Sequence, residues 1–152
     1  MKSVFGWVAA IVLLYCGTAV WALAPQTNHI SRAAMVIAYD PGGMISDYVR
    51  WFDRVRQAGV EVRIDGACIS ACTLVLSLPP ADVCVTESGR FGFHLASVDG
   101  VADPETTKEI AAAFYPPAVL DWIEKHGPLV EAPTYLSGHD AIELGIVREC
   151  EP

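Results

Sequence analysis

Ser70 lies in the segment GACISAC (residues 66–72), between a predicted strand and a predicted helix. α/β hydrolytic enzymes place a nucleophile at such a turn, because backbone N–H groups and the positive end of a helix dipole surround it. His94 follows in the sequence, and a Gly-Gly turn precedes at DPGG (residues 40–43). A serine hydroxyl becomes a good nucleophile when a neighbouring base removes its proton. These residues predict acyl transfer through Ser70 and His94. The alternative is that Ser70 only caps the helix.

Strands and helices alternate around these residues. Apolar runs predict strands at 33–39 and 60–64, and apolar residues at helical spacing predict a helix over 44–58 that Gly59 ends. Asp65-Gly66 predicts a turn. The other predictions are strands at 82–86, 90–94 and 146–148, helices at 70–78, 104–114 and 117–126, a loop over 97–107, and a short helix capped by Ser137 and ended by Gly145. This order predicts an α/β fold with a mostly parallel sheet flanked by helices.

The first 24 residues have the composition of a secretory signal. Lys2 supplies one positive charge, an apolar run covers 4–14, and Ala22-Leu23-Ala24 precedes Pro25. We expect cleavage after Ala24 and export to the periplasm. The alternative is an uncleaved membrane anchor over 4–24, whose length approaches that of a bilayer span. Residues 25–152 are enough for a single domain and too few for two.

The charge of the chain limits the classes of partner. The formal net charge is −8, and removal of residues 1–24 leaves nine basic and 18 acidic residues, or −9. A chain this acidic, without a basic cluster, is unsuited to bind nucleic acid or an anionic membrane surface. Contact with a membrane is expected only if the N-terminal segment stays uncleaved.

Four cysteines remain after the predicted cleavage: Cys68, Cys72, Cys84 and Cys150. An even number in an exported protein predicts two disulfides, for which three pairings exist. Because Cys68 and Cys72 flank a strand-to-helix turn, we expect each to bridge to Cys84 or Cys150 rather than to the other. No histidine accompanies the close pair at zinc-finger spacing, so no metal site and no cofactor is predicted.

Three segments together resemble the ClpP-type serine peptidases of the ClpP/crotonase superfamily. They are IAYDPGG (37–43), GACISA (66–71) and FGFH (91–94), and the closing stretch from Leu136-Ser137 to Gly145-Ile146-Val147 resembles the C-terminal helix and strand of that family. The resemblance covers about residues 33–148. It implies a ClpP/crotonase-like fold with repeated ββα-type units, and self-association into a homo-oligomer.

The resemblance also implies a role for each matching position. Ser70 would be the nucleophile and His94 its general base, while the N–H groups of Gly43 and Ala71 would form the oxyanion hole. The sequence departs from the family at the third member of the triad, because Pro133 stands where the family has an aspartate. Glu131 lies nearby and could orient His94, as could an acidic residue of the loop over 99–105.

The favoured interpretation is an exported serine hydrolase acting on peptide or other small acyl substrates through Ser70 and His94. The main alternative is a catalytically inactive ClpP-fold domain that serves binding or assembly. A serine–lysine pair with Lys108 or Lys125 is a further alternative, although the sequence around both lysines is polar. A crotonase-type acyl-CoA enzyme is disfavoured, because coenzyme A is not expected outside the cytoplasm.

Overall fold

A six-stranded sheet forms the centre of the fold in the computed structural model, which describes residues 33–151. Its strands are β1 (Ala34–Asp40), β2 (Glu61–Ile69), β3 (Val83–Val85), β4 (Arg90–Phe93), β7 (Thr134–Ser137) and β8 (Arg148–Glu149). A separate hairpin consists of β5 (Ser97–Val98) and β6 (Val101–Ala102). The predicted α/β class, with helices flanking a mostly parallel sheet, is confirmed.

Four α-helices and two 3₁₀ helices connect these strands. The α-helices are α1 (Ile45–Ala58), α2 (Pro104–Phe114), α3 (Pro117–Lys125) and α4 (Gly138–Glu143), and the 3₁₀ helices are Ser70–Ser77 and Pro80–Asp82. Gly59 ends α1 in the left-handed conformation, and the Ser137 hydroxyl accepts a hydrogen bond from the Asp140 N–H at the start of α4. Both caps agree with the sequence predictions.

The central strand β2 changes neighbours along its length. On one side it pairs with β1, and on the other it pairs first with β3 through residues 62–64 and then with β4 through residues 67–69. These pairings and that of β3 with β8 are parallel, whereas β7 is antiparallel to β4. In parallel strands the carboxyl ends meet at one edge of the sheet, so the ends of β1, β2 and β4 bring residues 40–43, 70 and 94 to the same side.

The predicted turn at Asp65-Gly66 is wrong, because β2 continues through these residues to Ile69. The register between β1 and β2 shifts there: Ile37 is opposite Ile64, and Tyr39 is opposite Ala67. A Cβ on Gly66 would lie 1.8 Å from the Ala38 carbonyl oxygen. Gly66 therefore permits a close approach of two strands at an irregular pairing.

Four other local features differ from the predictions. Residues 70–77 form a 3₁₀ helix, and the predicted loop over 97–107 contains the β5–β6 hairpin and the start of α2. Strand β7 was not predicted; it pairs with β4 immediately before the Ser137 cap. The C-terminal strand begins at Arg148, later than predicted.

The disulfides join Cys68 to Cys72 and Cys84 to Cys150. The expectation that Cys68 and Cys72 would bridge elsewhere is wrong. The chain reverses between them as β2 passes into the 3₁₀ helix, which brings their Cα atoms within 5.3 Å, a separation typical of disulfides. Cys84 on β3 meets Cys150 just after β8, because these two strands are paired.

The core lies around β2, β3 and β4, whose inward side chains are almost completely buried. Helices α1 and α3 add Phe52, Val55, Val119 and Trp122 to this core. None of the helices in residues 33–151 is long and apolar enough to span a membrane. The predicted signal at 1–24 lies outside the described residues. The single domain over 25–152 and the repeated ββα-type units remain predictions.

Candidate active site

Ser70 occupies an unusual backbone conformation at the junction of β2 and the 3₁₀ helix. Its φ angle is 59°, in the left-handed region that residues with a side chain rarely adopt. The N-cap of the following helix is Ile69, and no side-chain capping bond is made there. The alternative that Ser70 only caps a helix therefore has no support from its hydrogen bonding. Backbone strain of this kind is concentrated at functional sites.

Gly42 lies directly against Ser70. It has a φ angle of 84°, and a Cβ at this position would be 2.5 Å from the Ser70 Cβ and 2.6 Å from the Ile69 carbonyl oxygen. A glycine is required here by both conformation and space. The DPGG turn is thereby held beside the serine, with Gly43 next in the chain.

The turn at residues 40–43 is fixed by the Asp40 carboxylate. One of its oxygens accepts hydrogen bonds from the Gly42 N–H at 2.8 Å and from the Tyr48 hydroxyl at 2.5 Å. Tyr48 belongs to α1, so this contact joins the turn to the helix that follows it. Burial raises the pKa of the Tyr48 phenol well above its usual value, and the hydrogen bond to Asp40 raises it further.

A cavity of about 770 Å³ brings the predicted site residues together. Gly43, Ser70, Ala71 and His94 all line it. The Ala71 N–H lies in the first turn of its helix, where backbone N–H groups have no partner within the helix. The cavity lining therefore includes a hydroxyl and an imidazole, two of the groups that acyl transfer requires.

His94 is oriented by a backbone carbonyl. Its Nδ1 lies 2.7 Å from the Leu95 carbonyl oxygen, and a carbonyl only accepts, so Nδ1 carries the proton. In the neutral ring this leaves Nε2 with a lone pair that can accept a proton. The Leu95 N–H donates to the Val130 carbonyl oxygen at 2.9 Å, which anchors the segment. Within residues 33–151, the Ser70 hydroxyl makes no hydrogen bond to His94.

The structure gives no contact that supports Glu131 as the third member of a triad. Glu131 is exposed, does not line the cavity and makes no hydrogen bond to His94 within the described residues. Lys108 and Lys125 are also exposed outside the cavity, and Lys108 pairs with Glu105 at 2.8 Å. Neither lysine contacts Ser70. Of these candidate partners, only His94 lines the same cavity as Ser70 within residues 33–151.

A buried pair of hydroxyls behind Ser70 was not predicted from the sequence. The Thr73 hydroxyl donates to the Ser70 carbonyl oxygen at 2.6 Å and lies 2.6 Å from the Tyr115 hydroxyl. Thr73 is fully buried, and Tyr115 lies at the end of α2. Threonine is common in apolar helices, so the sequence offered no signal that Thr73 would face a tyrosine 42 residues away.

The cavity wall combines apolar side chains with the hydroxyls of serine, threonine and tyrosine. Among residues 33–151, no Asp, Glu, Lys or Arg side chain lines it, although the whole chain has a net charge of −8. Its other walls come from the following residues: Met44, Ile45, Ser46, Thr73, Leu74, Phe93, Ala96, Ser97, Thr106, Thr107, Ile110, Ala111, Tyr115 and Leu129. No group of three or more potential metal ligands is found within the described residues.

The chain is similar in fold to a number of solved structures. The chain is similar to the ClpP1 N165D mutant from Listeria monocytogenes, with a TM-score of 0.49 and 18% sequence identity, over 81% of this chain and 77% of that one. No protein-family model and no curated protein matches the chain.

Proposed function

We propose that this protein is a serine hydrolase that acts on peptide or other small acyl bonds, with Ser70 as the nucleophile. The observation that carries the proposal is the left-handed Ser70 at the end of the central strand, in one cavity with His94 and Gly43. A strained serine between a strand and a helix is the local geometry of the nucleophile in other hydrolases. The sequence segments that resemble ClpP-type peptidases include these same residues.

The reaction begins when Ser70 Oγ attacks the acyl carbon and its proton passes to Nε2 of His94. The Leu95 carbonyl keeps the proton of the free imidazole on Nδ1, so that Nε2 is the basic nitrogen. The oxyanion that forms is stabilised by the N–H groups of Gly43 and Ala71. His94 then protonates the leaving group, and water completes hydrolysis of the acyl-enzyme by the same steps in reverse.

The oxyanion donors make a large energetic contribution in this scheme. Loss of one fixed donor of this type costs about 2.7–4 kcal/mol of transition-state stabilisation. Asp40 holds the Gly42 N–H, and Gly42 is packed against Ser70, so the position of Gly43 relative to the serine is fixed before substrate binds. A preorganised donor of this kind is expected of an oxyanion hole.

The proposal is tested with a fluorophosphonate probe, which reacts covalently with activated serines. We expect the wild-type protein to be labelled, and Ser70→Ala to remain unlabelled while it folds as judged by circular dichroism. Ser46→Ala is the matched control, because Ser46 lines the same cavity and should leave labelling intact. His94→Ala should reduce the labelling rate by a factor of about 10²–10⁴, the usual contribution of a general base.

Equal labelling of wild type and Ser70→Ala would overturn the assignment of the nucleophile. Labelling that persists at full rate in His94→Ala would remove His94 as the base. Mass spectrometry of the labelled peptide identifies the modified residue directly. The two variants therefore test the two roles separately.

A second candidate function is binding without catalysis. The observation that favours it is that His94 Nδ1 contacts a neutral carbonyl, so a carboxylate does not orient the ring. In that case the cavity would hold an uncharged apolar group, and neither Ser70→Ala nor His94→Ala would change turnover of any acyl substrate. Export belongs to the proposal as well and is supported by the signal-like composition of residues 1–24. The sequence resemblance supports a ClpP/crotonase-like fold with repeated units and self-association.

A further inference from the structure

Ser70 lies at the centre of a very small disulfide loop. The bond between Cys68 and Cys72 closes residues 68–72, with Ile69 and Ala71 on either side of the serine. We refer to these five residues as the 68–72 loop. Both cysteines are fully buried, so the bond is part of the core. The second disulfide closes a much larger part of the chain, with a sequence separation of 66.

The bond restricts the conformations open to Ser70. Four residue steps in an extended chain span about 13 Å between Cα atoms, whereas a disulfide holds them within about 7 Å. The observed distance between the Cys68 and Cys72 Cα atoms is 5.3 Å. Strand β2 therefore cannot continue through Ser70 while the bond is intact. The chain has to turn, and the turn occurs at the left-handed serine.

The rest of the site depends on this turn. Gly42 fits against the Ser70 Cβ, and Ala71 lines the cavity from the first turn of the 3₁₀ helix because β2 ends at Ile69. The left-handed conformation is disfavoured for a serine on its own. Without the covalent link, the 68–72 loop gains access to extended conformations that displace the hydroxyl and the Ala71 N–H together.

We propose that the Cys68–Cys72 disulfide is a positioning element for Ser70, so that the serine is reactive only in the oxidised protein. The effect on reactivity rests on the proposed function. The effect on the conformation of Ser70 rests on the geometry alone. Neither Cys84 nor Cys150 lines the cavity. It serves as a matched control for the loss of a disulfide.

The experiment compares the full chain carrying Cys68→Ala/Cys72→Ala with the same chain carrying Cys84→Ala/Cys150→Ala. Two properties are measured below the unfolding transition of each: the rate of fluorophosphonate labelling, and the Cα and Cβ chemical shifts of Ser70. We expect the first pair to lower the labelling rate about ten-fold or more, since small displacements of a reacting group have effects of this size. We expect Cys84→Ala/Cys150→Ala to change the labelling rate by less than about two-fold and to leave the Ser70 chemical shifts as in wild type.

Chemical reduction of the disulfide provides a second test. It can be used even if Cys68→Ala/Cys72→Ala does not fold. In the Cys84→Ala/Cys150→Ala protein, Cys68–Cys72 is the remaining disulfide of the described residues. A water-soluble phosphine reduces it to two thiols and is itself converted, with one water, to the phosphine oxide. Labelling should fall on reduction and return after reoxidation with oxidised glutathione.

The outcomes separate this inference from the proposed function. Unchanged Ser70 shifts after loss of Cys68–Cys72 would overturn the positioning role, whatever the labelling. Equal loss of labelling in both double variants would also overturn it. If wild-type Ser70 is not labelled, the proposed function fails, while the chemical shifts still decide whether the disulfide sets the conformation of the serine.

Discussion

At the scale of single residues, the direction of two hydrogen bonds can be deduced from chemistry. The Ser70 carbonyl only accepts, so the Thr73 hydroxyl gives it its single proton. The Tyr115 hydroxyl must then donate to Thr73. A tyrosine at the end of α2 thus stabilises the backbone of the candidate nucleophile through one intervening side chain.

Thr73→Val should remove this link and leave the buried Tyr115 hydroxyl without its partner. Loss of a partner for a buried polar group costs about 1–3 kcal/mol, so the free energy of unfolding in urea should fall by that amount. Thr73→Ser keeps the hydroxyl and should recover most of the loss, apart from the missing methyl group. If Thr73→Ser and Thr73→Val were equally unstable, the hydroxyl would not be the stabilising group.

Because of the Tyr115 phenol, we expect the free energy of unfolding to decrease at alkaline pH. Burial raises the pKa of Tyr115 from 10.0 to about 12. Between these two values the unfolded chain has lost the proton and the folded chain retains it, so the stabilisation is full below pH 10 and is lost as pH rises toward 12. The magnitude is on the order of 2 kcal/mol.

Tyr115→Phe isolates this contribution from those of other groups, including Tyr48. The stability of the wild type should fall more steeply than that of Tyr115→Phe between pH 10 and 12, as measured by urea unfolding. Parallel curves for the two proteins would show that Tyr115 does not titrate with a raised pKa.

At the scale of elements, the irregular pairing of β1 and β2 depends on Gly66. A Cβ there would lie 1.8 Å from the Ala38 carbonyl oxygen, and a backbone atom cannot move away as a flexible side chain can. Gly66→Ala should therefore lower the free energy of unfolding by about 1–3 kcal/mol or more.

Gly43→Ala is the control for this substitution when stability is measured. Its Cβ would meet Tyr48 Cε2 at 3.5 Å, an ordinary contact, and Gly43 does not have a positive φ. Its stability should stay within about 0.5 kcal/mol of the wild type. Similar losses in the two variants would show that crowding at Gly66 is not the cause.

At the scale of the whole molecule, the disulfide that positions Ser70 should be the less important one for stability. Cys84–Cys150 should stabilise the fold more than Cys68–Cys72 does. The loop-entropy relation gives about 2 kcal/mol for the short 68–72 loop and about 4 kcal/mol for a loop of the size closed by Cys84–Cys150. Cys84→Ala/Cys150→Ala should therefore lower the melting temperature more than Cys68→Ala/Cys72→Ala. The reverse order in thermal unfolding would contradict this estimate.

Much of the architecture could be predicted from sequence because its signals are local. Helix α1 has apolar residues on one face and ends at Gly59, and Pro104 and Pro117 lie at the starts of α2 and α3. The candidate site could also be predicted, since Gly43 and Ser70 come after predicted strands and His94 ends one. Residues that follow parallel strands meet at one edge of the sheet.

The errors arose where the structure depends on contacts distant in sequence. Asp65-Gly66 has the composition of a turn, but pairing with β1 on one side and with β3 and then β4 on the other keeps it within β2. The disulfide pairing depends on where β2 ends, which composition does not reveal. Thr73 and Tyr115 meet only after α2 has folded over the 3₁₀ helix.

The cavity around Ser70 can exist only late in folding. Its walls come from five separate stretches, at 43–46, 70–74, 93–97, 106–115 and 129, and none of them encloses a volume alone. A newly made chain, still extended and with its thiols reduced, has no site at all. The cavity around Ser70 therefore forms only when the last of these stretches has docked.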